Sequence, residues 1–468
     1  ALMGRRVNML SVRSLLPRRF RRPESASSSL KANTSDSGLW YNLSHFVMRR
    51  PAISLLAGAL PLVIAGLPFF SINLSIPDHR ALPEGAESRT VGEALVNDFP
   101  RNETLPIQIV VRTGEQAMGA SSLSALFDYT RRLQAMPGVT RVDSLVTLDP
   151  RLDAGGSAAY AAFYSSIGNP ANPQSALAAR AAAQFAHDNY SVVNVLYESE
   201  PLGNAAQELV RQIREVAPPE GVNAWVGGYT AELDDFLASL QTGVPWAIAL
   251  IVAVMFLLLF LMLGSVVVPL KAVLLNILSL SASFGALVWI FQEGNLSNLL
   301  GFTPLGSIDG TMPVLIFAIA FGLSMDYEVF LLSRIKEAYD HTGDTVKAVA
   351  TGIQRTGGII TSAAALLVVV IAGFALGDVL FIKQVGVGLA LAIIVDATVV
   401  RTILVPATMR LLGRYNWWAP RPLAALYTRL GLGERDVEVE EAPQSAQAAS
   451  SPARPPLPAT SDNAQAGA

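Results

Sequence analysis

Long unbroken apolar runs, separated by one polar stretch, set the pattern of this chain. A bilayer core of about 30 Å needs roughly 20 apolar residues of helix. Six stretches meet that length: Pro51–Phe70, Val244–Leu263, Val267–Phe291, Met312–Ser333, Gly357–Gly377 and Gln384–Met409. Their continuity predicts helices, since the strands of a membrane barrel would alternate apolar and polar positions. Between the first two runs the pattern changes. Pro106–Arg112 (PIQIVVR), Gly138–Leu148, Ser191–Glu198 (SVVNVLYE) and Val222–Gly227 read as strands, and Ser122–Met136 and Asn204–Val216 as amphipathic helices. Two β-α-β units in series predict a ferredoxin-like α+β domain. An Ala-rich, partly helical insertion, Asp149–Asp188, separates them, and Ala231–Leu240 continues as a helix toward the second run.

Composition agrees with a membrane class. Hydrophobic residues make up 51% of the chain and charged ones 15%, and the net charge of −3 gives no global attraction for nucleic acid. There is no cysteine, so disulfides, thiol chemistry and cysteine metal sites are excluded. His45, His79, His187 and His341 are scattered without ligand spacing, so neither a metal nor another cofactor is expected. Basic residues concentrate before the first run, between the fourth and fifth (Arg334, Lys336, Lys347, Arg355) and after the sixth (Arg410, Arg414), with Lys271 at the turn before the third. The loop Gln292–Thr311 has none. This bias predicts a multi-pass protein of the cell membrane with cytoplasmic termini and an extracytoplasmic domain.

The predicted organisation follows. Residues 1–50 are a basic cytoplasmic linker, 51–70 the first helix, 71–243 the extracytoplasmic domain, 244–414 helices two to six, and 415–468 a largely disordered tail. Arg334–Arg355 is expected along the membrane surface as an amphipathic helix. Gly357-Gly358 is expected to mark a helix start. The Arg-rich, Met-less beginning suggests that part of a longer protein precedes Ala1.

Charges inside the apolar runs carry the candidate chemistry, because an ionisable residue at bilayer depth costs several kcal/mol. Asp326 lies eight residues before Arg334, which places it about 12 Å inside and near mid-bilayer. Asp396 reaches a similar depth on the sixth run. Desolvation and a nearby cation act on a carboxyl in opposite directions, which suits a group that loads and releases a proton. Tyr327 points about 100° round the helix from Asp326 and is expected to reach a carboxylate on a neighbouring helix. Glu328 and Arg401 are candidate supporting charges. Asp396 with Arg401 reads equally as a static bridge or as part of a relay, and Thr361 and Ser362 as an extension of its hydrogen-bonding path. Gly322, Ser324, Gly386 and Gly388 would let runs four and six approach closely. No G-x-x-x-x-G-K loop occurs that would couple the chain to ATP.

Three stretches carry a family resemblance. Gly322–Glu337 (GLSMDYEVFLLSRIKE) resembles the fourth-helix motif of the MMPL branch of the RND superfamily. Gly352–Ala364 (GIQRTGGIITSAA) and Val395–Pro406 (VDATVVRTILVP) resemble that family's fifth and sixth helices. The resemblance covers residues 40–415, and the order of one helix, a large domain and five helices agrees. It implies a proton-driven exporter of lipids or other hydrophobic molecules, not an enzyme, in which Asp326 and Tyr327 match the relay pair. The family joins two six-helix halves, and Gly4–Asn8 resembles the linker between them. The chain is therefore expected to be a C-terminal half, with the second half upstream or supplied by a dimer partner. A SecD/SecF-like half, a Patched-like module, a receptor or scaffold, and an intramembrane aspartyl protease using Asp378 remain as alternatives.

Overall fold

The computed structural model describes residues 38–99 and 102–429. Most of the predicted basic linker and most of the predicted tail lie outside the described residues. Among the described residues six helices are long and apolar enough to cross a membrane: Pro51–Ser71, Tyr229–Leu263, Val267–Gln292, Thr311–Thr342, Thr345–Ala375 and Leu380–Trp417, here spans one to six. A shorter amphipathic helix, α1 (Leu39–Arg49), precedes span one. Arg421–Arg429 form a separate helix in the segment after Trp418.

Span two is longer than its apolar run. Its 35 residues begin in the inserted domain and continue without a break through Pro245 to Leu263, where Gly264 takes the left-handed conformation and ends it. At about 1.5 Å per residue the helix is some 52 Å long. The end of span one is tied to the start of span four by two short parallel strands, β1 (Leu74–Ser75) and Ile308–Asp309.

The inserted domain is built on a sheet whose core strands are β2 (Ile107–Arg112), β3 (Val139–Asp143), β5 (Tyr190–Tyr197) and β6 (Asn223–Gly227), with β4 (Ala186–His187) pairing β5 as a short hairpin. The order is β3-β5-β2-β6 and every pairing is antiparallel. Residues of β2 alternate buried and exposed, so Ile107, Ile109 and Val111 face the helices. There they meet a core that includes Leu123, Leu126 and Leu133 of α2 (Ala120–Gln134) and Val210 and Ile213 of α3 (Asn204–Glu215). The Ala-rich insertion folds as Pro150–Asp153, Gly156–Tyr164 and Ser175–Phe185. Tyr164 donates to the Leu145 carbonyl at 2.8 Å, and burial pushes its phenol above the ordinary range.

Three local expectations are corrected. Arg334–Arg355 does not form a separate surface helix. Span four runs on to Thr342, Gly343 turns the chain at φ 64°, and the Asp344 side chain caps span five by accepting from Val346 N–H at 2.8 Å. Gly357-Gly358 lies inside span five, not at its start. Gly322 does not mediate an approach of spans four and six: a Cβ there would meet nothing within 4 Å, whereas at Gly388 it would meet Ile316 of span four at 2.7 Å.

Candidate functional site

Span six is not α-helical throughout. Asp396–Leu404 form a π-helical stretch between α-helical Leu380–Val395 and Val405–Leu412. In an α-helix residues five apart point about 140° away from one another. The wider i→i+5 register brings them onto one face, and such stretches recur at functional sites. Here it lets Arg401 reach back to Asp396. Arg401 donates from Nε at 3.0 Å and from Nη2 at 2.7 Å to Asp396 Oδ2. Nη2 also donates to the Ser324 carbonyl at 2.7 Å, which joins span six to span four. Both side chains are almost fully buried, at 6% and 10% exposure.

Span three completes the cluster. The Ser324 hydroxyl donates to Asn276 Oδ1 at 2.7 Å. Lys271 and Glu328 are also buried, and each lies within the other's electrostatic reach. Lys271 Nζ, Glu328 Oε1 and Arg401 Nη1 have no hydrogen-bond partner among the described residues. Two acids and two bases thus share a buried region of the bundle. Separately each would be expensive to bury; together their charges offset.

Tyr327 is half-buried and lies over Arg401, with the guanidinium carbon 5.1 Å from the ring centroid. It meets a cation on span six, where a carboxylate contact was expected. With Asn276, Ser279, Ser324 and Asp396 it lines a cavity of about 20 Å³. Asp326, expected to be buried, is exposed in this chain and has no hydrogen-bond or ion-pair partner among the described residues. Leu315, Ala318, Ile319 and Gly322 are exposed on the same helix face. Ser362 lies outside the cluster: its hydroxyl is exposed and donates to the Gly358 carbonyl of its own helix at 2.8 Å. Asp378 is not brought to Asp326. It lines a separate cavity with Arg80, Glu84 and Arg89 at the domain end of the bundle, so the paired aspartates of a protease are not assembled. Among the described residues no group of acids and histidines is arranged to hold a metal ion.

The fold and this cluster define a multi-pass membrane protein with a charged centre inside its helices. The chain belongs to the MMPL family, whose model matches residues 80–430, and so to a branch of the RND superfamily. It is 37% identical to the Streptomyces coelicolor membrane protein SCO6666 over 96% of this chain and 55% of that protein. It is 32% identical to the trehalose monomycolate exporter MmpL3 of Mycobacterium tuberculosis, covering 98% of this chain and 46% of the exporter. It is 33% identical to the heme uptake protein MmpL11 of Mycobacterium tuberculosis, covering 85% of this chain and 37% of that protein. The chain spans about half the length of the curated relatives it matches.

Proposed function

We propose that this chain is one six-helix half of a transporter driven by the proton-motive force, which exports lipids or other hydrophobic molecules. Asp326 is its proton-loading carboxylate, Tyr327 and Asp396 continue the relay, and Glu328 and Arg401 hold the surrounding charge. The observation that carries this reading is Asp326 itself. It is an unpartnered carboxylate on an otherwise apolar helix face, one residue from a tyrosine that lies on the Asp396–Arg401 pair. Such a residue has no structural use in lipid and is costly there, so its presence points to a proton path.

The remaining features support the same reading. The antiparallel order β3-β5-β2-β6 supports reading the inserted domain as a split β-α-β, ferredoxin-like porter unit. The basic residues at one end of spans four to six favour cytoplasmic termini, with the domain outside. Moving one charge across 100 mV supplies about 2.3 kcal/mol, enough to bias an alternating cycle. One similar protein is named as a trehalose monomycolate exporter and another for heme uptake, so the substrate is proposed as a hydrophobic class and not as one compound.

Asp326→Asn keeps the size of the side chain and removes its titration. In the full-length protein reconstituted with its membrane lipids, this variant should be made and inserted normally. It should lose both substrate export and the proton flux followed by a pH-sensitive dye inside the vesicles. Export at the parental rate would sink the relay assignment.

A further inference from the structure

The Asp396–Arg401 pair borders two cavities, each of about 20 Å³, Asp396 lining one and Arg401 the other. That is room for a single water in each. The first, beside Asp396 and Tyr327, belongs to the site described above. The second is lined by Trp40, Thr356, Gly357, Thr361, Arg401 and Thr402 among others.

The second cavity is equipped for a water. Arg401 lines it and has one buried nitrogen, Nη1, with no partner among the described residues. Thr356 and Thr361 donate their hydroxyls to the carbonyls of Gly352 at 2.9 Å and Gly357 at 2.7 Å, and Thr402 donates to Thr398. Each hydroxyl oxygen keeps a lone pair with which to accept. A water here would accept from Arg401 and donate to the threonines, which meets the two to four polar partners that a buried water needs.

Trp40 forms one wall of this cavity. It belongs to α1, the helix before span one, and is half-buried, with its ring lining the cavity and packed on the bundle core. The ring lies against Gly357: a Cβ at that position would fall 2.8 Å from Trp40 Cδ2. The neighbouring backbone is latched to span five, since Tyr41 N–H donates to Gln354 Oε1 at 2.9 Å. α1 also exposes Leu39 and Phe46 and ends on Arg49, as suits a helix resting on a membrane surface.

We propose that this cavity is the water port of Arg401 and that Trp40 is its lid, so that movement of α1 decides when solvent on the cytoplasmic side reaches the charged cluster. Gly357 is glycine because the closed lid needs its surface. The lid role rests on the relay reading for its purpose and on the predicted orientation for its side, but its test reads neither transport nor proton flux.

The chain has no cysteine, so Thr356→Cys, at a lining position only 1% exposed, places a single thiol in the port. In the full-length protein in membrane vesicles, with any cysteine elsewhere in it replaced, this thiol should react slowly with a charged, membrane-impermeant methanethiosulfonate. Adding Trp40→Ala should speed labelling from the cytoplasmic face by about tenfold or more, because reaction then no longer waits on local opening. Gly357→Ala, which leaves Trp40 in the sequence and pushes its ring away, should do the same. Trp40→Phe, and Gly358→Ala, whose Cβ would meet nothing within 4 Å, should label at the parental rate. Unchanged labelling in both the Trp40→Ala and Gly357→Ala proteins overturns the lid, as does acceleration from the opposite face only. Loss of export in Asp326→Asn, together with parental labelling in the Trp40→Ala and Gly357→Ala proteins, would leave the relay standing and the lid refuted.

Discussion

Arg401 shows how one side chain can hold two helices and a charge at once. It satisfies Asp396 through two nitrogens and reaches the Ser324 carbonyl of span four. Removing it leaves a buried carboxylate alone, a change that costs about 3–5 kcal/mol in comparable pairs. Arg401→Met should therefore lower the thermal midpoint of the detergent-purified protein sharply. The double variant Asp396→Asn/Arg401→Met should regain much of that loss, because it leaves neither charge uncompensated. Midpoints that simply add would show that the two residues do not act as a pair. The individual charges of this site were legible from sequence, since depth follows from counting residues to Arg334. Their partnership was not. Under an α-helical period Asp396 and Arg401 diverge, and apolar composition gives no sign of the π-helical stretch that turns them together. Lys271 was readable only as a charge at a turn, although it is buried in the cluster; a lysine five residues before an asparagine inside an apolar run was the available signal. The burial of Asp326 was misjudged for a different reason. Depth along a helix is a local property, whereas which face a neighbour covers is not.

At the scale of elements, span three is the axis of the bundle, and small residues set how close others come to it. A Cβ on Gly285 would fall 2.0 Å from the Ala65 carbonyl of span one, and one on Gly66 would fall 3.1 Å from the Ser281 hydroxyl in return. This is a small-on-small contact between membrane helices, where close packing takes the place of the hydrophobic effect. Gly285→Ala must push backbone from backbone. It should destabilise the protein by about 1–3 kcal/mol, the usual range for overpacking, seen as a lower thermal midpoint. Gly358→Ala, with an open surface in front of it, should be neutral within error. The spans themselves were legible because about 20 apolar residues leave few alternatives. Helix ends were harder. Gly343 and Asp344 form a stop and a start that sequence rules describe, but the charge-rich stretch around them outweighed that signal and suggested a surface helix. Glycine carried the opposite ambiguity at Gly357, where it serves contact with Trp40 and not chain reversal.

At the scale of the whole molecule, the exposed face of span four asks for a cover. Leu315, Ala318, Ile319, Gly322 and Asp326 form one stripe along the helix, and a carboxylate facing lipid at that depth is costly enough to exclude bare exposure as the resting state. The chain spans about half the length of its relatives, so a second six-helix half, within one polypeptide or in a second copy, is the natural occupant of our proposal. Gly322 is the place to test it, because its open surface in this chain would accept a large side chain. In the full-length protein Gly322→Trp should lower the thermal midpoint and abolish proton flux, as a wedge between two halves would. Leu258→Trp is the control, on a different helix, span two, at a position 60% exposed. It should leave both measurements near the parent. If Gly322→Trp is as harmless as this control, the stripe faces lipid and no second half covers Asp326. If it fails only in flux and keeps its stability, the wedge acts on the relay locally and the docking proposal is again lost. Only the combined loss is what an interface predicts, because a helix packed across Gly322 couples the stability of the assembly to the carboxylate four residues away.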